Sequence, residues 1–132
     1  MPRRLTLVLL LAVGLTACGG GDDKKDAQRT VREFVTATNK RDANKLCDEV
    51  FSEDFIEQAT GATGDRAKSA CKQQFKQLRG LKLRLVRFSK TEIDGDEARV
   101  STIIETQNQP QPRVFKLTKE DGDWRLAGGS GG

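Results

Sequence analysis

Apolar side chains recur every three or four residues through the first half of the chain and every second residue through the second, so the sequence predicts helices followed by strands. From Asp26 onward, Ala27, Val31, Phe34, Val35 and Thr38 fall on one helical stripe, with Arg29, Arg32, Glu33 and Lys40 elsewhere. This predicts an amphipathic helix to about Asn39. Asp42 is suited to cap a second helix, Ala43 to Val50, which presents Leu46, Cys47 and Val50 on one face. Ser52 is suited to cap another stretch carrying Phe55, Ile56 and Ala59. Residues 60–64 have turn chemistry. Asp65 then caps a helix whose Ala67, Ala70, Cys71, Phe75 and Leu78 share a face until Gly80 stops it.

Beyond Gly80 the period drops from 3.6 to 2. Leu81, Leu83 and Leu85 alternate with Lys82 and Arg84, and the phase then slips so that Val86 and Phe88 continue the apolar set. The slip predicts a bulge near Leu85 to Val86. Asp94-Gly95-Asp96 is a turn, and Ala98, Val100, Thr102 and Ile104 alternate in the next strand. Residues 107–112 read as a loop, 113–119 as a strand offering Phe115 and Leu117 to one face, and Glu120-Asp121-Gly122 as a turn before Trp124 and Leu126. Helices first and an antiparallel meander second make an α+β domain: three to four N-terminal helices packed on a bent four-stranded sheet.

The two ends differ from this domain. Pro2-Arg3-Arg4 precedes an apolar run from Leu5 to Leu15, too short to span a bilayer, and small residues lead to Cys18. Leu15-Thr16-Ala17-Cys18 resembles the bacterial lipobox, which implies removal of residues 1–17 and lipid on Cys18, so that the mature protein is held at the extracytoplasmic face of a cell membrane. The alternative is a plain secretory signal beside an incidental cysteine. Arg3-Arg4 fits a simple positive start better than a twin-arginine signal. Residues 18–25 read as a flexible tether, 26–127 as one domain and 128–132 as a flexible tail. With Cys18 lipidated, Cys47 and Cys71 remain as an even pair in an exported chain and are expected to form a disulfide. The rival redox or metal role lacks CxxC spacing and any histidine.

The order of elements, the cysteine in each of two helices and the closing Asp121-Gly122-Asp123-Trp124-Arg125-Leu126 resemble small exported lipoproteins of the nuclear transport factor 2-like superfamily, the SnoaL-like and cystatin-like α+β group. The resemblance covers about residues 26–127. It implies a cone whose sheet and helices enclose a pocket, used across that superfamily by isomerases, dehydratases, ligand carriers and protein-binding modules alike. Thr102, Trp124 and Phe75 are the candidates to line such a pocket. Thr102 either faces it or packs its methyl group and bonds to a neighbour; Trp124 either lines it or plugs the core.

Chemistry is restricted by what the chain lacks. With no Tyr and no His, a Tyr oxyanion donor and a His base are excluded, and only carboxylates remain as bases. Asp54, Glu57, Glu92 and Glu105 all sit where solvent-facing residues belong, so no catalytic residue is assigned, and no cofactor or metal is expected. After loss of Arg3 and Arg4 the mature chain holds 21 basic and 19 acidic residues, a balance that forecasts no nucleic-acid partner. Its positive charge gathers on Lys68, Lys72, Lys76 and Arg79, next to Lys82, Arg84 and Arg87: either a solvated helix face or a contact for anionic lipid or cell-wall polymer. The expectation is a monomeric, non-enzymatic binding or accessory domain, tethered to the membrane, whose partner is an envelope protein or a small apolar ligand. The alternatives are a carrier and an isomerase- or dehydratase-like enzyme using a lone carboxylate.

Overall fold

A computed structural model of the chain describes residues 20–131. The apolar run and Cys18 therefore lie outside the described residues. Four helices, α1 (Gly20–Lys40), α2 (Ala43–Lys45), α3 (Glu53–Thr60) and α4 (Gly64–Gln77), pack on an antiparallel sheet of β1 (Leu83–Asp94), β2 (Glu97–Thr106), β3 (Gln109–Glu120) and β4 (Asp123–Gly131), in the spatial order β1-β2-β3-β4. This is the α+β meander that the periodicity predicts.

The helix caps follow the sequence in part. Asp42 accepts from the backbone N–H of Lys45, and Ser52 from that of Phe55. α2 runs on as a π-helical turn, Leu46–Val50, which keeps Leu46, Cys47 and Val50 buried on one face. Asp65, by contrast, caps nothing: Thr63 occupies the cap position of α4, and the N–H of Gly64 bonds to the Glu57 carboxylate instead. The helix then ends at Gln77, three residues short of Gly80. Leu78 turns extended and stands 49% exposed, not on the buried face that its spacing suggests.

Two segments expected to be flexible are ordered into elements. The helix continues back from Asp26 to Gly20 because the Asp23 carboxylate accepts from the Lys119 ammonium at 3.0 Å and from the Trp124 indole N–H at 3.3 Å, binding its first turn to the β3–β4 hairpin. At the other end, Gly128 to Gly131 belong to β4, paired with Lys116 back to Arg113. Backbone pairing requires no side chain, and without this strand the outer N–H and C=O groups of β3 would lack partners.

The turn between β2 and β3 is also tighter than the sequence suggests. Only Gln107 and Asn108 form it, both at positive φ, the requirement of a type I′ hairpin. Pro110 and Pro112 are strand residues, paired with Glu105 and Ile103. Among the described residues β4 pairs with β3 only from Arg113 onward, so neither proline has a described partner on that side. The predicted bulge is present: the β1–β2 register shifts between Leu85 and Arg87, and again between Phe88 and Lys90. Val86 is the extra residue, so it points outward, 39% exposed, and does not continue the apolar set.

Ala98, Val100, Thr102 and Ile104 of β2, Phe115 and Leu117 of β3, and Trp124 and Leu126 of β4 form the sheet side of the core. Ala27, Val31 and Val35 of α1, with Leu46, Val50, Phe51 and Ile56, close it from the helix side. Cys47 and Cys71 are joined, with Cα atoms 6.0 Å apart, tying the π turn to α4. Phe51 makes a single bridge to Leu126, and the N–H of Ser52 bonds to the Leu126 carbonyl, so this part of the β4 edge is covered. β1 is the other edge strand.

Candidate functional site

The first place to look is the space between helices and sheet. Aromatic rings fill it. Phe34 lies 5.5 Å from Phe115 and 6.1 Å from Phe51, and Phe51 lies 5.2 Å from Phe55 and 5.4 Å from Phe75, measured between ring centroids. These are ordinary tilted aromatic contacts of a packed core. The crevice at the rim of this cluster, bordered by Thr38, Arg41, Phe75, Leu78 and Leu81, has a volume of only about 10 Å³. That is no more than one water needs.

Each of the three candidate pocket residues makes packing or hydrogen-bond contacts within the fold. Thr102 is 1% exposed, and its hydroxyl donates to the Arg113 carbonyl at 3.0 Å, bonding β2 to β3. Trp124 is buried beside α1, where its indole N–H reaches Asp23 and its carbonyl accepts from the Thr30 hydroxyl. Phe75 is half-buried against Phe51. The structure does not bring Thr102, Trp124 and Phe75 around a shared cavity.

The carboxylates considered as bases lie outside this space. Asp54 and Glu92 are exposed, Glu57 is half-buried with its carboxylate on the Gly64 N–H, and Glu105 pairs with Arg84 across β1 and β2. Glu92 pairs with Lys90 at 2.6 Å, and the hydrogen bond from that ammonium holds the Glu92 carboxyl below its ordinary value. A group held ionised in this way accepts a proton less readily, the opposite of what a general base at neutral pH requires.

A trough of about 330 Å³ runs between α1, α2 and the β3–β4 turn, lined among others by Asp26, Arg29, Glu33, Lys45, Glu49 and Trp124. Two ion pairs cross or flank it. Arg29 pairs with Asp26 at 3.1 Å and Lys45 with Glu49 at 2.5 Å, and the Glu49 hydrogen bond raises the Lys45 ammonium above its usual value. Sequence reading gave no signal for this trough, because its walls come from segments about 80 residues apart.

The basic stripe divides in two. Lys72 is half-buried and bonds to Asp48 at 2.9 Å, fastening α4 to the π turn, and Lys68 is half-buried as well. Lys76 and Arg79 are exposed, as are Lys82 and Arg87, and the four flank or lie within the α4–β1 connection along the chain. Leu78, Leu81 and Val86 stand exposed in the same stretch. Gly80, at a φ of 77°, turns the chain just beyond the end of the helix and is the local signal for the junction.

Among the described residues no helix is long and apolar enough to cross a membrane, and no group of three or more His, Cys, Asp or Glu is arranged to hold a metal ion. No protein-family model matches the chain, and no curated protein matches it in sequence. Among solved structures it is similar to an uncharacterised protein with a cystatin-like fold from Caulobacter vibrioides, 16% identical, with a TM-score of 0.55 over 84% of this chain and 87% of that one. It is also similar to a candidate aromatic ring hydroxylase from Novosphingobium aromaticivorans, 18% identical, with a TM-score of 0.54 over 84% and 94%. A third is a nuclear transport factor 2-like protein of unknown function from Silicibacter pomeroyi, 14% identical, with a TM-score of 0.50 over 84% and 95%. At 14–18% identity these likenesses establish the fold and nothing finer: the chain has the nuclear transport factor 2-like, cystatin-like architecture.

Proposed function

We propose that this chain is the precursor of a bacterial lipoprotein, cut before Cys18 and anchored by lipid on that cysteine. Its exported domain is a non-enzymatic binding or accessory module of the cell envelope, acting through its outer surface. The observation that carries the second half is the filled interior: Phe34, Phe51, Phe55, Phe75 and Phe115 occupy the space where relatives with this fold could hold a ligand. The Cys47–Cys71 disulfide supports the first half, since such bridges persist in oxidising compartments outside the cytoplasm. Half-exposed and exposed carboxylates, paired or solvated, favour the module over an isomerase- or dehydratase-like enzyme.

Native mass spectrometry of the protein purified from bacterial membranes tests this reading. The expected result is the mass of the processed chain with its lipid and nothing further. A co-purified small apolar molecule that survives desalting would replace the module with a carrier.

A further inference from the structure

We propose that the α4–β1 junction, Lys76 to Arg87, is a docking surface for an anionic lipid bilayer, set at the far end of α1 from Cys18. The large apolar side chains that stand exposed among the described residues, Leu78 at 49%, Leu81 at 42% and Val86 at 39%, all fall in this stretch. Packing strands them there: α4 ends before Leu78, Leu81 precedes β1, and Val86 is the bulged residue.

Charge is equally one-sided. From Arg66 to Thr91 the chain has nine Lys and Arg and no Asp or Glu, whereas the remainder has 14 basic against 19 acidic residues. Ion pairs to Asp48, Glu105 and Glu92 take up Lys72, Arg84 and Lys90. Lys76, Arg79, Lys82 and Arg87 remain exposed and alternate along the chain with the exposed apolar side chains. Basic side chains on an open edge strand also discourage strand addition, which accounts for Arg84 and Arg87. It does not account for Lys76 and Arg79, which precede the strand, or for exposed leucines beside them. An anionic bilayer matches both properties: headgroup phosphates accept from Lys and Arg, while Leu side chains enter the headgroup–acyl boundary. A second copy of the chain would meet the same charge.

The position of the junction gives the contact a purpose. The Asn39 side chain donates to the Leu83 carbonyl and accepts from the Leu83 N–H, both at 2.7 Å, and Gln28 donates to Thr91 at 3.0 Å, so β1 runs back along α1. The junction thus lies at the C-terminal end of a 21-residue helix, about 30 Å from its start at 1.5 Å per residue. Cys18 precedes Gly20 by two residues, a reach of about 7 Å at most. Lipid at one end and the junction at the other hold α1 along the membrane plane and fix which face of the domain points outward. That orientation rests on the proposed lipidation of Cys18; the docking surface does not.

The test reconstitutes the full chain carrying Leu78→Trp into vesicles of brominated phosphatidylcholine, with and without phosphatidylglycerol, reading flotation and indole fluorescence against the Trp124 background. Docking predicts that the introduced indole shifts to the blue and loses most of its intensity in anionic vesicles. Intensity returns in high salt, without phosphatidylglycerol, or with Lys76→Glu, Arg79→Glu and Lys82→Glu added. Protein that floats with both vesicle types while the indole stays unquenched overturns docking and leaves the anchor standing. Flotation with anionic vesicles alone, with quenching, supports docking and refutes the anchor; flotation with neither overturns both. A blue shift without quenching reports a protein contact, a second copy included, and also overturns the proposal.

Discussion

Thr102 and Thr38 are both buried threonines, and they differ in where the hydroxyl goes. Thr102 donates to the Arg113 carbonyl, whereas the buried hydroxyl of Thr38, a residue 6% exposed, finds no hydrogen-bond partner among the described residues. A buried hydroxyl without a partner retains its desolvation cost, and one with a partner contributes a net stabilisation. Thr102→Val is therefore expected to cost about 1 kcal/mol, and Thr38→Val to be neutral or stabilising by a similar amount, about 1 kcal/mol. Urea unfolding of the two variants against the parent checks this; equal losses would mean that Thr38 bonds to something unseen. The alternation of β2 correctly marked Thr102 as inward-facing. It carried no information about whether a cavity or the Arg113 carbonyl waits there, because that depends on how a strand eleven residues later is registered.

At the scale of elements, the attachments of α1 and α4 determine which segments are ordered. Closing a loop of about 25 residues, the Cys47–Cys71 bridge is worth about 3.5 kcal/mol in the chain-entropy account. The double variant Cys47→Ala, Cys71→Ala should lose most of that in equilibrium unfolding, with α4 exchanging its amide hydrogens first. A loss below about 1 kcal/mol would mean that the bridge adds little beyond packing. The first turn of α1 depends on a different attachment. The Lys119 hydrogen bond is the main cause that holds the Asp23 carboxyl below its ordinary value of 3.8, with the Trp124 indole adding to it. A depressed carboxyl stabilises the fold above its unfolded pKa, and that contribution is lost as the pH falls through the folded value. Acidification from neutrality to below 3.8 should therefore lower the protection of the amides of residues 22–26, measured against their intrinsic exchange rate at each pH, and alter Trp124 fluorescence, and Asp23→Asn should remove the pH dependence of both protection and fluorescence. Protection in that turn that ignores pH would contradict the attachment.

The same elements explain what could be read in advance. Period and caps located α1, the Ser52-capped helix and the bulge in β1, because each is a local pattern. Gly20 to Lys25 and Gly128 to Gly131 looked flexible because nothing in them is apolar, yet their order comes from Lys119, Trp124 and the β3 backbone. Pro110 and Pro112 looked like a loop because a proline disfavours a central strand, and only the described extent of β4 reveals that neither has a described partner on that side. Leu78 read as core because helical spacing extends one residue too far past Gln77.

For the whole molecule, a packed aromatic core, a basic edge strand and a 21-residue first helix support the proposal that the domain acts through its surface. The α+β architecture was legible from element order alone, since helices followed by a meander leave few ways to cover one sheet face. The candidate site was legible only in part: the trough combines segments that touch only in the folded chain, whereas the basic residues of the α4–β1 junction are contiguous in sequence and only the exposure of Leu78, Leu81 and Val86 needed the structure. The same fold in other proteins serves unrelated purposes, so function follows from where this domain is held and which face it presents. Cys18 therefore decides most, as the residue that would set both. Intact mass spectrometry of the mature protein from bacterial membranes tests it directly. The account predicts a chain beginning at Cys18 and carrying the added mass of a diacylglycerol group; a chain that begins elsewhere, or an unmodified Cys18, would contradict it.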